Sequence, residues 1–116
     1  MQRLYIDGTG LSGAPSFASA AGLILTNCND CSLSETDVDA WLSGIYTRWA
    51  ASGFTYATPS LNIGGTGATI NAAPSGTYQD GDPPTTGLEY VYELANDPET
   101  TGEPTWSITY NGGSAP

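Results

Sequence analysis

Between Leu23 and Ile63 the sequence reads as a strand, a capped helix and a second strand within about forty residues, the smallest α/β unit that can bury an apolar face. The unit opens with the apolar run Leu23-Ile24-Leu25-Thr26-Asn27-Cys28 and closes with Leu61-Asn62-Ile63-Gly64-Gly65. The helix between them carries the clearest signals in the chain. Ser34-Glu35-Thr36-Asp37 supplies a hydroxyl cap with an acid three residues on, and the early acids complement the positive end of the helix dipole. Val38, Trp41, Leu42, Ile45 and Trp49 then recur at helical spacing as one apolar stripe. Gly53 stands where a left-handed stop is expected. At this spacing Trp41 and Trp49 read as core rather than as a ligand-stacking pair.

The flanking segments are less regular. In residues 1–22, Leu4-Tyr5-Ile6 can form a short strand, but the glycine-dense continuation and the run Ser16-Phe17-Ala18-Ser19-Ala20-Ala21 argue for an arm or loop. This segment is either a loosely packed leader or an arm draped on a neighbouring subunit, with Leu4, Ile6, Leu11 and Phe17 as its anchors. Leu61 and Ile63 alternate with polar neighbours as a half-buried strand does. The stretch from Gly64 to Asp82 then reads as an unusually long loop, anchored only by Ile70 and Tyr78, where surface function is expected to reside.

Residues 86–95 fit two patterns. Leu88, Val91, Tyr92 and Ala95 share a helical face, whereas Leu88, Tyr90, Tyr92 and Leu94 alternate as in a strand. Pro83-Pro84 at the start and Asn96-Asp97-Pro98 as a stop favour the helix. Thr105-Trp106-Ser107-Ile108-Thr109-Tyr110 is the last expected strand. The expected fold is thus α/β: a small β-α-β-α-β unit over residues 23–116 with short parallel strands and two helices, preceded by a Gly/Ser/Ala-rich arm over 1–22. Its expected core is Leu23, Leu25, Val38, Trp41, Leu42, Ile45, Trp49, Leu61, Ile63, Trp106 and Ile108.

With 116 residues the chain amounts to one small domain whose stability is modest or borrowed from a partner. Twelve acids face only Arg3 and Arg48, and with no lysine or histidine the formal charge is −10. Such a surface repels phosphate backbones and anionic lipid, so neither nucleic acid nor membrane is an expected partner. No basic cluster followed by an apolar stretch opens the chain, and no apolar run has membrane-spanning length, which points to a protein made in the cytosol without a conventional export signal. Fifteen glycines and eight prolines, with abundant Ser and Thr, favour turn-dense, hydroxyl-rich surface over a large core.

Catalytic equipment is sparse. Cys28-Asn29-Asp30-Cys31 has thiol-disulfide spacing, but Asp30, Glu35 and Asp37 make its surroundings negative, which raises a thiol pKa and disfavours redox chemistry. Two buried thiols or a local disulfide are the expected states. Structural zinc lacks its ligands, and the missing histidine excludes the Ser-His-Asp and Cys-His schemes. Asp80 with Asp82, or Glu89 with Glu93, can be paired as glycosidase carboxylates, yet so small a domain lacks the cleft needed to separate their pKa values. Asp80-Gly81-Asp82 and Asn96-Asp97-Pro98-Glu99 offer oxygens to a calcium ion without EF-hand spacing, and read as solvated turn acids. Gly64-Gly65-Thr66-Gly67 follows a strand as a phosphate loop does, but with no lysine after it reads as a turn. No metal, cofactor or enzymatic activity is expected.

Leu23-Ile24-Leu25-Thr26-Asn27-Cys28 and Leu33 are similar to a degenerate leucine-rich repeat, in which an Asn or Cys turns the chain after a strand. The capped helix, Leu61-Asn62-Ile63-Gly64-Gly65-Thr66, Ala72-Ala73-Pro74-Ser75-Gly76 and Trp106-Ser107-Ile108-Thr109 together resemble the leucine-rich-repeat-like module of tailed-bacteriophage virion structural proteins. The resemblance covers roughly residues 23–110, and the module often closes a longer protein. It differs in having no long upstream repeat array or fibre shaft, and in the insertion Tyr78-Gln79-Asp80-Gly81-Asp82-Pro83-Pro84. It implies a non-enzymatic virion component, a capsid decoration or head-fibre protein, whose partners are other virion subunits or a second copy of itself. Leu4, Ile6, Leu11, Phe17 and Tyr78 are its expected contact residues. The alternative is a tail-fibre or receptor- and glycan-binding module with Tyr56, Tyr78 and Tyr90 as an aromatic platform.

Overall fold

The computed structural model describes residues 3–5, 25–27, 30–50, 59–99 and 102–115, with residues 3–5 and 25–27 described for their backbone. Helix α1, Glu35–Ala50, begins where the cap predicts: Ser34 Oγ accepts from the Asp37 N–H at 3.2 Å. Its stripe Val38, Trp41, Leu42, Ile45 and Trp49 is buried, and Arg48 complements the negative end of the dipole. Helix α2, Gly87–Asn96, settles the choice at 86–95 in favour of the helix. Thr86 and Glu89 form a reciprocal capping box, and Asp97, with φ of 46°, closes the other end in the left-handed region. Pro83 and Pro84 lie upstream of the cap, not in the first turn. The buried arc is Gly87, Val91, Glu93, Leu94 and Ala95, whereas Leu88 and Tyr92 are half-exposed. The expected apolar face is therefore rotated, and α2 turns Gly87 toward Asp39 of α1, where a Cβ would find no room.

Among the described residues, five short strands form one sheet in chain order: β1 Arg3–Tyr5, β2 Leu25–Asn27, β3 Ser60–Asn62, β4 Ser107–Tyr110 and β5 Gly113–Ala115. The first four are parallel and β5 runs antiparallel to β4. The domain is thus mixed α/β, and the expected β-α-β-α-β order gains a strand at each end. Arg3–Tyr5 belongs to the sheet, which answers the choice between strand and arm for these three residues. Asn111-Gly112, with Gly112 at φ 105°, is a two-residue hairpin turn that folds β5 back on β4.

Register places Leu61 beside Ile108 and Ile108 beside Ala115, and all three are buried. They join α1 and α2 in one apolar cluster with Cys31, Leu33, Ile63 and Trp106, so both helices cover the same sheet face. The opposite face shows Ser60, Asn62, Ser107 and Thr109, half-buried or exposed. Trp41, Trp49 and Trp106 fill the centre, and Trp49 Nε1 donates to Pro104 O at 2.7 Å. Of the expected core, Leu23 lies outside the described residues and Leu25 is placed only by register, opposite Ser60.

Among the described residues two polar side chains, Asn71 and Glu93, are fully buried with these apolar ones. Asn71 is fully buried, and its Oδ1 accepts from the Cys31 and Leu33 N–H groups, each at 3.0 Å. Its Nδ2 donates to Ile63 O at 3.0 Å, and its carbonyl accepts from Asn111 Nδ2 at 3.0 Å. The turn after β2 and the end of β3 meet at this side chain, and the β4–β5 hairpin joins them through the Asn71 backbone carbonyl. The loop read as having only Ile70 and Tyr78 for anchors is therefore pinned from within.

Two substitutions test this account in urea unfolding. Asn71→Ala strands two buried N–H groups and a carbonyl, and is expected to cost on the order of 3 kcal/mol; a loss below about 1 kcal/mol would show that water replaces the carboxamide. Trp106→Ala opens a cavity at the sheet–helix junction and is expected to cost about 3–5 kcal/mol.

Candidate functional site

The segment from Gly64 to Thr86 joins β3 to α2 and carries most of the sequence-predicted chemistry. At its start, Asp30 Oδ1 accepts from the Thr66 and Gly67 N–H groups at 3.1 and 3.3 Å. The amides that a phosphate loop would turn toward an anion are thus satisfied by the protein's own carboxylate. Gly65 sits at φ 131°, and a Cβ there would lie 2.2 Å from Asp30 Oδ1, so only glycine fits. Cys31, the second cysteine of the thiol pair, is buried in the core, while Cys28 lies outside the described residues.

Further along, Pro74-Ser75-Gly76 locks the two helices together. Ser75 N donates to Asp39 Oδ1 on α1 at 3.0 Å, and Ser75 Oγ donates to Asp39 Oδ2. The same Oγ accepts from Gly87 N at 3.3 Å, and Ser75 O accepts from Leu88 N at 2.9 Å. A Cβ on Gly87 would lie 2.1 Å from Asp39 Oδ1, so the approach of the helix start to α1 depends on that glycine.

The carboxylates offered as a glycosidase pair, Glu89 and Glu93, sit one turn apart on α2 in opposite environments. Glu89 Oε1 accepts from Thr85 N and Thr86 N at 3.0 and 3.2 Å, and Gln79 donates to its Oε2. The Thr85 N–H above all, then Gln79, holds its pKa down to about 2. That carboxylate is committed to the helix start. Glu93 is fully buried, its Oε1 accepts from Gly81 N at 3.1 Å, and its Oε2 is buried with no hydrogen-bond partner. One carboxylate oxygen each from Asp80, Glu93 and Glu99 lies within 4.8 Å of the other two. Burial first, then the Glu99 and Asp80 carboxyls, pushes the Glu93 pKa up to about 8. Across the helix interface the Tyr46 phenol is also pushed up, by burial and then by Glu93 and Glu99.

Asp80 and Glu99 come from the two segments the sequence offered as separate cation-binding turns. Glu93 between them is the member that helical periodicity does not flag as buried. Its signal is an acid at a position flanked by Val91, Leu94 and Ala95, an acid on the edge of an apolar arc.

Tyr78, 40% exposed, lies edge-on against Tyr92 with ring centroids 5.1 Å apart, and its hydroxyl accepts from Asn96 Nδ2 at 3.0 Å. Tyr90 packs instead on Tyr46, centroids 5.4 Å apart, which in turn meets Trp49. Residues 90 and 92 are about 200° apart around a helix. Tyr78 and Tyr90 therefore do not share a platform, and Tyr56 lies outside the described residues. The side chain of Leu4, in β1, and the residues Ile6, Leu11 and Phe17 also lie outside them. Among the described residues no helix is long and apolar enough to cross a membrane. Compared with known proteins, the chain matches no family model, no curated protein and no solved structure.

Because Glu93 binds its proton more tightly in the fold than in an unfolded chain, protonation favours folding. Its contribution is complete below the ordinary glutamate value of 4.5 and is lost as the pH rises toward about 8. Thermal unfolding in chelator-treated buffer is expected to show a midpoint that falls from pH 5 to pH 8. Glu93→Gln keeps an acceptor for Gly81 N and is expected to flatten this slope; an unchanged slope would mean that Glu93 does not set it.

Proposed function

We propose that the chain is a non-enzymatic structural component of a tailed-bacteriophage virion, a capsid decoration or head-fibre protein that binds other virion subunits, built on a leucine-rich-repeat-like winding. The observation that carries the reading is the strand order: four parallel strands stacked in chain order, with both helices on one face. Leucine-rich repeats stack in the same sense, one strand and one helical crossover per repeat. The register adds to this, since Asn27 pairs with Asn62 across neighbouring strands, as equivalent positions of stacked repeats do.

The surface chemistry fits a seat on a protein shell. A charge of −10 with only two cationic side chains keeps the chain off packaged nucleic acid and favours a basic protein face. The sheet face away from the helices shows small hydroxyls and amides, Ser60, Asn62, Ser107 and Thr109, suited to an outward, hydrated surface. The receptor-binding alternative asks for an aromatic platform that Tyr78 and Tyr90 do not form, so the decoration reading is preferred.

Co-sedimentation tests it. The tagged full chain is mixed with purified virions and empty shells of the phage that encodes it, and copies bound per shell are counted. Saturation at a fixed copy number, with added density on the shell surface in electron micrographs, is the expected result. A folded chain that stays in the supernatant at every shell concentration would overturn the reading.

A further inference from the structure

We propose that Asp80, Glu93 and Glu99 form a binding site for a hard divalent cation of the calcium class. The three carboxylates come from three places: the loop before α2, the second turn of α2, and the turn just past its left-handed cap. One oxygen from each lies within 4.8 Å of the others. A single cation with metal–oxygen distances of about 2.3–2.6 Å spans such a set.

The acids alone would be an ordinary exposed cluster, and Asp80 and Glu99 are indeed exposed. Glu93 makes the difference. Its side chain has no solvent exposure, and its Oε2 has no hydrogen-bond donor. The carboxyls it meets, Asp80 and Glu99, offer only acceptors when ionised. A fully buried carboxylate that meets two other carboxylates requires a positive occupant, either a proton or a metal ion. The C-terminal end of α2 adds the negative pole of its dipole to the same place.

The oxygen-only ligand set selects a hard cation over zinc or copper. With two of three ligands on the surface, the remaining positions are open to water, as calcium tolerates and as suits a site of moderate affinity. Gly81 N already holds Glu93 Oε1, so the buried ligand is oriented before the ion arrives. Bound there, the cation would tie the Asp80 segment to both the body and the end of α2. This site is independent of the virion reading and stands or falls without it.

The test uses the full chain, stripped with EDTA and held at pH 7.5. Terbium is titrated as a calcium probe, with emission excited through the aromatic residues, of which Tyr46 feels the charges of both Glu93 and Glu99. CaCl2 is then used to displace it, and the thermal midpoint is measured with and without CaCl2. The expected result is one saturable site per chain, reversed by EDTA, and a higher midpoint with calcium. Glu93→Gln and Asp80→Asn each weaken binding by more than about tenfold, and Glu35→Gln on the far helix start leaves it unchanged. Asp80 is exposed, so its variant keeps the test valid if Glu93→Gln folds poorly. Absence of saturable binding up to about 10 mM calcium, well beyond the weak end of natural calcium sites, would overturn the proposal. So would variants that bind as tightly as the parent. A midpoint raised by Glu93→Gln but indifferent to calcium would assign the cluster to a shared proton instead, and likewise overturn it.

Discussion

The carboxamide of Asn71 is the interaction on which the rest of this structure depends. A long connection of small residues cannot be held against a sheet by apolar contact, because it has too little side chain to bury. Its backbone must then find hydrogen bonds, and so must the strand ends and turns that it covers. Asn71 resolves both needs with one group, accepting twice from the turn before α1 and donating once to the end of β3. Buried away from water, each of these bonds is worth more in its breaking than in its making. The loop therefore behaves as part of the core, and the carboxylates it carries are presented from a fixed backbone.

Glu89 and Glu93 show how far environment outweighs residue type. Both lie on α2, yet one is held ionised and the other is driven toward neutrality. Glu89 faces the N–H groups at the start of a helix, which stabilise its charge. Glu93 faces a buried interface and two further acids, which penalise it. The first is spent on capping the helix start, so the two glutamates are not equivalent partners. The second is available for a different kind of chemistry, that of binding a positive charge.

Local signals in the sequence were enough to find both helices. For α1 the cap, the stripe of Val38, Trp41, Leu42, Ile45 and Trp49, and the buried face all follow from period and hydroxyl placement. For α2 the existence of the helix was legible, but the orientation was not, because Leu88 and Tyr92 outweigh Gly87 in any count of apolar residues. Gly87 faces inward for a reason of space, not of hydropathy. The hairpin at Asn111-Gly112 carries a strong turn signal that is masked by the small polar residues around it. Asn71 and the Asp80–Glu93–Glu99 group were out of reach, since each joins residues far apart in sequence through polar contacts with no periodic signature. Asp30 and Asp39 are similar, acids that look solvated until the backbone amides they serve are brought to them.

The contact of Asp39 with Gly87 has a bearing on how such a chain can drift over generations. A side chain at 87 has nowhere to go while the carboxylate at 39 stays in place, and removing that carboxylate alone releases Ser75 from α1. Either change by itself carries a cost, and because the Pro74 Cβ would lie 2.8 Å from a Cβ at 87, new ground is reached only when that proline gives way as well. Descendants of this fold should therefore show positions 39, 74 and 87 altering together or not at all, so that the three, though far apart in sequence, are inherited as one character.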